Sequence, residues 1–307
     1  MLCEAVDSVL SQSYRPIEII IVDDGSTDET SDVADELQAQ SPNSVKSLHI
    51  RNSGPGIARE AGRRVAKGGY IQYLDSDDLL LPEKFRLQVA GLDSSPQCAI
   101  SYCRTRYRDS TGNIVDEAWK RTGERIESLF PSMLCGRWWG TSTPLYRRSA
   151  VDDGGPWSEL INEEDWEYDC RLAAKGVKLH YVPETLSEQR GCAANRLSES
   201  GGLDPDKLSS RARAHEMVYR HAVASGMDSS SPEMRHFSRS LFLLSRQCGA
   251  AGLTDASKSL FDLSFKVAES HAGANIEYFV YRVGARLLGW RIMGTASRYF
   301  DRARRSR

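Results

Sequence analysis

The sequence predicts an α/β fold with a mostly parallel sheet, followed by an all-helical region. Apolar strand segments alternate with amphipathic helices over the first 92 residues, and this alternation is typical of parallel strands with helices on both faces. Two predicted strands, at 17–22 and 70–74, run directly into acidic residues. From residue 204 onward only helical periodicity remains. We therefore predict two domains, at 1–203 and 204–307.

The individual elements follow from local signals. Residues 26–28 mark a helix start, and Pro82 suits the first turn of a later helix. The turn at 110–113 predicts a hairpin instead of a crossover, and Pro183 is expected to end the last strand. In chain order we predict a helix at 3–13, a strand at 17–22, a helix at 28–39, a strand at 45–50, a helix at 57–67, a strand at 70–74, a helix at 82–92, a hairpin of 98–108 and 114–119, a helix at 124–134, a strand at 143–147, a helix at 163–174 and a strand at 177–182.

Composition argues against several classes of protein. Lys and Arg number 40 against 42 Asp and Glu, a net charge of -2, so no overall field attracts nucleic acid. No apolar run reaches the roughly 18 residues of a spanning helix, and residues 1–7 lack the layout of a signal peptide. The seven cysteines form no C-x-x-C pair, which favours reduced thiols. We therefore predict a cytoplasmic protein without a nucleic-acid partner.

Carboxylates follow both of the strands at 17–22 and 70–74, where ligands of open α/β sheets bind. Asp75 and Asp77 stand two apart on an extended segment, so both can face one Mg²⁺ or Mn²⁺ ion. Capping of the next helix is the alternative. Asp23 and Asp24 either accept hydrogen bonds from a nucleotide or cap a turn. Arg59 either faces a phosphate or is a solvated surface residue.

A third acidic group and a pair of indoles complete the candidate site. Glu164 and Asp165 open the predicted helix at 163–174, where acids complement the helix dipole or take a proton from a hydroxyl nucleophile. Trp138 and Trp139 are either a platform for a sugar ring or part of the core. The sequence contains no H-E-x-x-H, P-loop or G-x-S-x-G motif, which disfavours zinc peptidases, P-loop nucleotidases and α/β-hydrolases.

Four segments resemble, in order and spacing, the motifs of family 2 glycosyltransferases. They are IIIVDDGSTD at 19–28, NSGPGIAREAG at 52–62, YLDSDD at 73–78 and EEDWEY at 163–168. The segment at 143–157 is also similar to the strand and loop that precede the family's acidic helix. The resemblance covers residues 1 to about 200.

The resemblance implies a three-layer GT-A-type fold and inverting transfer from a nucleotide-diphosphate sugar to an acceptor hydroxyl. It also implies a divalent metal ion, Mn²⁺ or Mg²⁺, which neutralises charge on the leaving diphosphate. The implied roles are base contact for Asp23 or Asp24, nucleotide contact for Arg59, direct metal binding for Asp77, ribose or metal-bound water for Asp75, general base for Asp165, and neighbour or substitute of that base for Glu164.

Two departures from the family pattern accompany this resemblance. The family begins with a strand that carries a Pro-x-Tyr/Phe-Asn type of segment, whereas this sequence starts inside the first helix. We therefore expect a misplaced start, a fragment, or a chain that no longer binds donor well. In addition, Cys192 aligns with a family histidine in the loop after Pro183. With that histidine replaced, Arg190 or Arg196 would bind the diphosphate as a cation. Arg190 is also a candidate for the acceptor side, with Trp138 and Trp139.

The C-terminal residues form a basic segment. Residues 282–307 contain eight Arg and one acid. An apolar stripe overlaps the start of this segment, a pattern that favours an amphipathic anchor to anionic lipid; it consists of Phe279, Val280, Val283, Leu287 and Trp290. Glycines at 284, 289 and 294 favour a frayed, solvated tail as the alternative. The first interpretation places the protein at the inner face of the membrane.

We thus predict a metal-dependent inverting glycosyltransferase of polysaccharide, glycolipid or glycoconjugate synthesis. Its partners would be a nucleotide-diphosphate sugar donor, a glycan or lipid-linked acceptor, and an anionic membrane surface. One alternative is a non-catalytic module that binds nucleotide sugars or serves in assembly, and the missing strand and Cys192 favour it. Another is a phosphohydrolase that uses the same acids with water.

Overall fold

The computed structural model of this chain describes residues 1–191, 202–269 and 276–305. Its residues fall into two compact units. Unit 1 comprises Met1–Leu129, Arg137–Glu159 and Arg171–Arg196, and unit 2 comprises Phe130–Gly136, Leu160–Cys170 and Leu197–Arg307. Two short segments that precede residue 203 thus belong to unit 2, and the predicted domain boundary at 203 stays a proposal.

The described residues contain strands and helices in alternation, and then helices alone. The strands are β1 (Ile19–Asp23), β2 (Val45–His49), β3 (Tyr70–Gln72), β4 (Leu79–Leu80), β5 (Cys98–Arg108), β6 (Ile114–Asp116), β7 (Leu145–Arg147) and β8 (Lys178–Arg190). The helices are α1 (Leu2–Leu10), α2 (Thr30–Gln40), α3 (Pro55–Val65), α4 (Lys84–Ser94), α5 (Arg148–Gly154), α6 (Glu164–Ala174), α7 (Pro205–Ala224), α8 (Pro232–Ala250), α9 (Thr254–Glu269), α10 (Ile276–Leu288) and α11 (Trp290–Arg305).

The strands of unit 1 form two sheets within the described residues. β1 and β2 pair in parallel, and a mixed sheet has the order β3-β7-β5-β8-β4 with β6 beside β5. In that second sheet β5 and β8 are parallel, whereas the other pairs are antiparallel. The α/β class is confirmed, and the sheet is mixed because hairpins and short return strands need no helical crossover.

Helix α1 connects the two parts of the unit 1 core. Its Val6 packs against a cluster that includes Ile21 of β1 and Val45 of β2. Val9, almost one turn further along, packs against another cluster that includes Leu80 and Phe85. Residues three or four apart lie on one face of a helix, so this single face serves both clusters. The core therefore holds the carboxyl ends of β1 and β3 on one scaffold.

Two predicted elements are wrong in detail, and proline explains each. The helix at 124–134 is replaced by turns and a 3₁₀ turn at Ser132–Cys135, because Pro131 disfavours the helical conformation of the residue before it. The strand that was expected to end at Pro183 continues to Arg190. Its pairing with β5 jumps from Val182 to Thr185, so a bulge accommodates the residue without an N–H.

Unit 2 is built mainly from helices α7 to α11. Aromatic side chains form one of its cores, in which Phe242 of α8 stacks on Tyr278 of α10 with ring centroids 4.4 Å apart. Phe261, Tyr281 and Ala285 complete this cluster. Among the helices of the described ranges, none has the length and apolar character that a membrane crossing requires.

Candidate functional site

Asp23, at the end of β1, is held by its own neighbours. Its Oδ1 accepts a hydrogen bond from the Ser26 backbone N–H at 3.0 Å, and Nδ1 of His49 lies 3.3 Å from Oδ2. Hydrogen bonding from Ser26 lowers the pKa of this buried carboxyl, so Asp23 is ionised at neutral pH. A carboxylate has about four acceptor positions, so two contacts leave it able to accept from a ligand.

Asp24 positions the turn that leads into α3. Its two carboxylate oxygens accept hydrogen bonds from the backbone N–H groups of Ser53 and Gly54, each at 2.8 Å. Gly54 has a φ of 92°, which favours glycine, and Pro55 then begins the helix. The turn-capping alternative therefore describes what Asp24 does in this structure, and its nucleotide role stays a proposal.

Helix α3 brings Arg59 to the second acidic strand end. Arg59 Nη2 lies 2.8 Å from Oδ1 of Asp75, and the guanidinium lies 5.0 Å from the ring centroid of Trp157. Two residues predicted from separate motifs are thus in direct contact. Trp157 is an additional part of this site that the sequence did not single out for a role.

The acidic loop after β3 contains a third carboxylate, Asp78, for which the sequence predicts no site role. Asp78 is fully buried, and its carboxylate accepts hydrogen bonds from the backbone N–H of Arg190 at 3.2 Å and from the Ser142 hydroxyl at 3.3 Å. Burial, and then the charges of Asp75 and Asp77, raise the pKa of Asp78 well above its ordinary value. The signal in the sequence was its place directly before the apolar strand β4.

Arg190 lies at this same loop. Its Nε donates a hydrogen bond to the Asp77 carbonyl, and its Nη1 lies 2.6 Å from Oε2 of Glu4. The sequence predicts Arg190 on the acceptor side or at the diphosphate, whereas in the structure its contacts support the acidic loop. The predictions for Cys192 and Arg196 fall outside the described residues.

The loop fits a divalent ion that shares its coordination with a substrate. In the parts of the chain that the structure describes, no three His, Cys, Asp or Glu side chains form a complete metal cage. Asp75 and Asp77 nevertheless stand close enough to Asp78 to raise its pKa, so this loop concentrates negative charge. Mg²⁺ commonly binds one or two carboxylates together with substrate phosphates, and Asp75 and Asp77 are two such carboxylates.

The predicted base residues belong to unit 2, at the start of α6. Glu164 is buried, whereas Asp165 is partly exposed. Oδ1 of Asp165 accepts a hydrogen bond from the backbone N–H of Trp166 at 2.6 Å. Partial exposure makes Asp165 the more accessible of the two carboxylates. Their roles in proton transfer stay proposals.

An exposed sugar platform at Trp138 and Trp139 does not fit the structure. The two side chains are only 2% and 0% exposed. The guanidinium of Arg121 covers the Trp138 ring at 3.7 Å from its centroid, and Tyr102 packs 5.2 Å from the Trp139 ring. Core packing, the alternative from the sequence, describes both residues, because large indoles gain most from complete burial.

Known proteins are similar to this chain in sequence. The model of the family described as "Glycosyl transferase family 2" matches residues 1–152. An uncharacterized glycosyltransferase of Nostoc sp. is 34% identical over 200 residues, which cover 63% of this chain and 62% of that protein. Chondroitin synthase of Escherichia coli is 33% identical over 130 residues, 42% of this chain and 19% of the synthase. This chain therefore spans less than two thirds of either relative.

Two solved structures have a similar fold. The crystal structure of S. aureus TarS 1-349 in complex with UDP-GlcNAc aligns with a TM-score of 0.59 at 16% identity, over 88% of this chain and 87% of that chain. Mannosyltransferase PcManGT from Pyrobaculum calidifontis, in complex with GDP-Man and Mn²⁺, aligns with a TM-score of 0.51 at 16% identity, over 95% and 79%. Identities this low establish the fold alone. Residues 1–152, just under half of this chain, match glycosyl transferase family 2, and the chain has a GT-A-type fold.

Proposed function

We propose that this chain is an inverting glycosyltransferase that moves a sugar from a nucleotide-diphosphate donor to an acceptor hydroxyl. The observation that carries the proposal is the contact of Arg59 with Asp75 of the acidic loop, within the residues that match the glycosyltransferase family. TarS and PcManGT have been crystallised with UDP-GlcNAc and GDP-Man, and these complexes support a nucleotide-sugar donor.

The residues of unit 1 would bind the donor. The Asp23 carboxylate accepts hydrogen bonds from the base or ribose, and Asp24 keeps α3 in place so that Arg59 faces the nucleotide. Asp77 and Asp75 would hold Mn²⁺ or Mg²⁺, and the bound ion would neutralise charge on the departing diphosphate. Arg190 supports this loop and adds positive charge close to it.

Proton transfer would fall to unit 2. Asp165, partly exposed at the start of α6, takes the proton of the acceptor hydroxyl and so makes that oxygen a better nucleophile. Glu164 is its buried neighbour or substitute. General base catalysis of this kind contributes about 100- to 10,000-fold in rate.

A panel of nucleotide sugars, assayed with and without Mn²⁺ or Mg²⁺, tests the function. We expect metal-dependent sugar release that disappears in both Asp77→Ala and Asp165→Asn, while the exposed control Asp32→Asn retains it. Binding without turnover for every donor and acceptor would support a non-catalytic nucleotide-sugar module instead. Cleavage of the diphosphate without release of the sugar would identify a phosphohydrolase.

A surface of α10 supports a location at the inner face of the membrane. Its outward stripe is 39–81% exposed and consists of Ile276, Phe279, Val280, Val283 and Leu287. Tyr278, Tyr281 and Ala285 occupy the opposite face, which is buried within unit 2. An apolar stripe beside an Arg-rich segment matches the chemistry of an anionic bilayer surface.

We therefore propose a lipid-linked or glycan acceptor of polysaccharide, glycolipid or glycoconjugate synthesis, reached from the cytoplasmic side. Flotation with phosphatidylcholine vesicles, with and without phosphatidylserine, tests the membrane contact. The protein should float only with anionic vesicles, and Phe279→Glu should abolish flotation. Thr295→Glu adds the same charge at an exposed position of α11 and serves as the control. Equal flotation of the two variants would contradict the proposal.

A further inference from the structure

Glu163, the residue directly before Glu164 and Asp165, has an unusual backbone conformation. Its φ is 59°, a left-handed value that is unfavourable for a side chain with a Cβ atom. Its carbonyl oxygen nevertheless accepts the Glu167 N–H at 3.0 Å, the first hydrogen bond of α6. A strained residue persists only where its surroundings enforce the conformation, so the contacts of Glu163 indicate what positions the acidic pair.

Helix α7 supplies two side-chain contacts to Glu163. Nε of Arg211 lies 2.9 Å from Oε1, and Nδ1 of His215 lies 3.2 Å from Oε2. The same Nδ1 is 2.9 Å from the Arg211 carbonyl oxygen, one turn earlier on the helix. Burial raises the pKa of Glu163, but His215 and Arg211 outweigh it, so the net pKa is lowered and the carboxylate stays ionised.

The backbone just before Glu163 is held by the same stretch of α7. The Ser210 hydroxyl oxygen accepts hydrogen bonds from the N–H groups of Ile161 at 3.1 Å and Asn162 at 3.4 Å. The Asn162 side-chain amide donates to the carbonyl oxygen of Lys207 at 3.3 Å. Three consecutive residues, 161–163, therefore contact one surface of α7.

The residue after the acidic pair is fixed to that surface as well. The Trp166 ring meets the His215 ring edge to face at 4.9 Å, and His215 stacks on Phe237 of α8 at 5.8 Å. The indole N–H of Trp166 donates to the carbonyl oxygen of Met133 at 2.8 Å. Contacts thus lie on both sides of Glu164 and Asp165 in the sequence.

We propose that Arg211 and His215 are positioning residues, which hold the segment that carries Asp165 in the geometry for proton transfer. This inference rests on the proposed function, because it assigns the helical region a part in that reaction. A small misplacement of a reacting group lowers the rate by up to about 100-fold, whereas donor binding by residues of unit 1 does not depend on it.

Kinetics of Arg211→Ala, Glu163→Gln and His215→Gln test the proposal. Each should lower kcat by about 10- to 100-fold with the KM for the donor within about twofold of wild type. Arg211→Lys should recover part of kcat, since a lysine also presents a cation to Glu163. The double variant Arg211→Ala/Glu163→Gln should be no slower than the slower single variant, because both remove one interaction. Arg213→Ala, exposed on the same helix, should equal wild type.

Hydrogen exchange of the peptide that spans 160–166 provides a readout independent of turnover. Its exchange should be faster in Arg211→Ala than in wild type or Arg213→Ala, in protein that circular dichroism shows to be folded. Glu163→Gln, a smaller change, replaces Arg211→Ala if the latter does not fold. Faster exchange with an unchanged kcat would overturn the proposal, as would an increase of donor KM alone. Inactivity of the wild type towards all donors would instead defeat the proposed function, and this inference with it.

Discussion

Replacement of Glu188 by Gln tests the support beneath the acidic loop. Glu188 is 2% exposed on β8, and its carboxylate lies 2.5 Å from Nε of Arg106 and 2.7 and 2.9 Å from Nε and Nη2 of Arg108. Glu188 also pairs with Leu79, the residue that follows Asp78. The change Glu188→Gln keeps the shape of the side chain and removes its charge, so it isolates the electrostatic contribution.

The magnitude follows from these contacts. Breaking a fully buried ion pair costs about 3–5 kcal/mol, but Arg106 and Arg108 are 27% and 32% exposed, so water replaces part of the loss. With hydrogen bonds to charged groups worth about 1.5–3 kcal/mol, we expect the free energy of unfolding to fall by about 2–3 kcal/mol. For a unit of this size, that corresponds to a Tm lower by about 5–10 °C.

The direction of the pKa shift of Glu188 predicts how its stabilising effect depends on pH. Burial raises the pKa of Glu188, but the bonds from Arg108 and Arg106 outweigh it and leave the folded-state pKa lowered. Its stabilisation is therefore present above about pH 4.5 and is lost as the pH falls through the folded-state pKa. The Tm difference between wild type and Glu188→Gln should shrink from pH 7 towards pH 4 and below.

Thermal unfolding followed by circular dichroism measures this difference, with the exposed Glu184→Gln on the same strand as control. A Tm within about 1 °C of wild type at pH 7 would refute the estimate, given the size scaling of Tm. So would a Tm difference that is as large in acid as at neutral pH. In either case Glu188 would not be the ionic support of this sheet end.

Three further substitutions test other parts of the structure. Asp35 and Asp23 raise the pKa of His49, so this pairing stabilises the folded state below about pH 6.5, and the stabilisation is lost as the pH rises through the raised pKa. His49→Gln should therefore flatten the dependence of Tm on pH, and parallel Tm profiles of the variant and wild type would contradict this. Arg59→Lys should raise donor KM about 10-fold, because lysine lacks the planar guanidinium that contacts Asp75 and lies over the Trp157 ring. An unchanged KM would exclude a donor role for Arg59. Trp139→Ala should lower the free energy of unfolding by about 3–5 kcal/mol, because the indole is fully buried. A stable variant with a raised acceptor KM would instead support the interpretation of Trp139 as a sugar platform.

The candidate site shows where sequence reasoning succeeded and where it stopped. The sequence predicts separate roles for Asp75 and Arg59, whose motifs lie apart in the chain. In the structure Nη2 of Arg59 lies 2.8 Å from Oδ1 of Asp75. The sequence left two roles open for Asp24, binding a nucleotide or capping a turn, because both use the same carboxylate. Only the distances from this carboxylate to the N–H groups of Ser53 and Gly54 show the capping role. The helix expected at 124–134 failed because apolar periodicity outweighed Pro131 in that prediction.

The sequence by itself determined the α/β class, the resemblance to a glycosyltransferase family and the acidic strand ends, since these depend on local periodicity and on short motifs in a given order. Only the tertiary structure decided which side chains are buried and which residues meet across the chain. Asp78 is an enclosed acid, the two indoles belong to the core, and Arg211 reaches Glu163 from 48 residues away. Such contacts arise when distant segments pack together, and no local pattern specifies them.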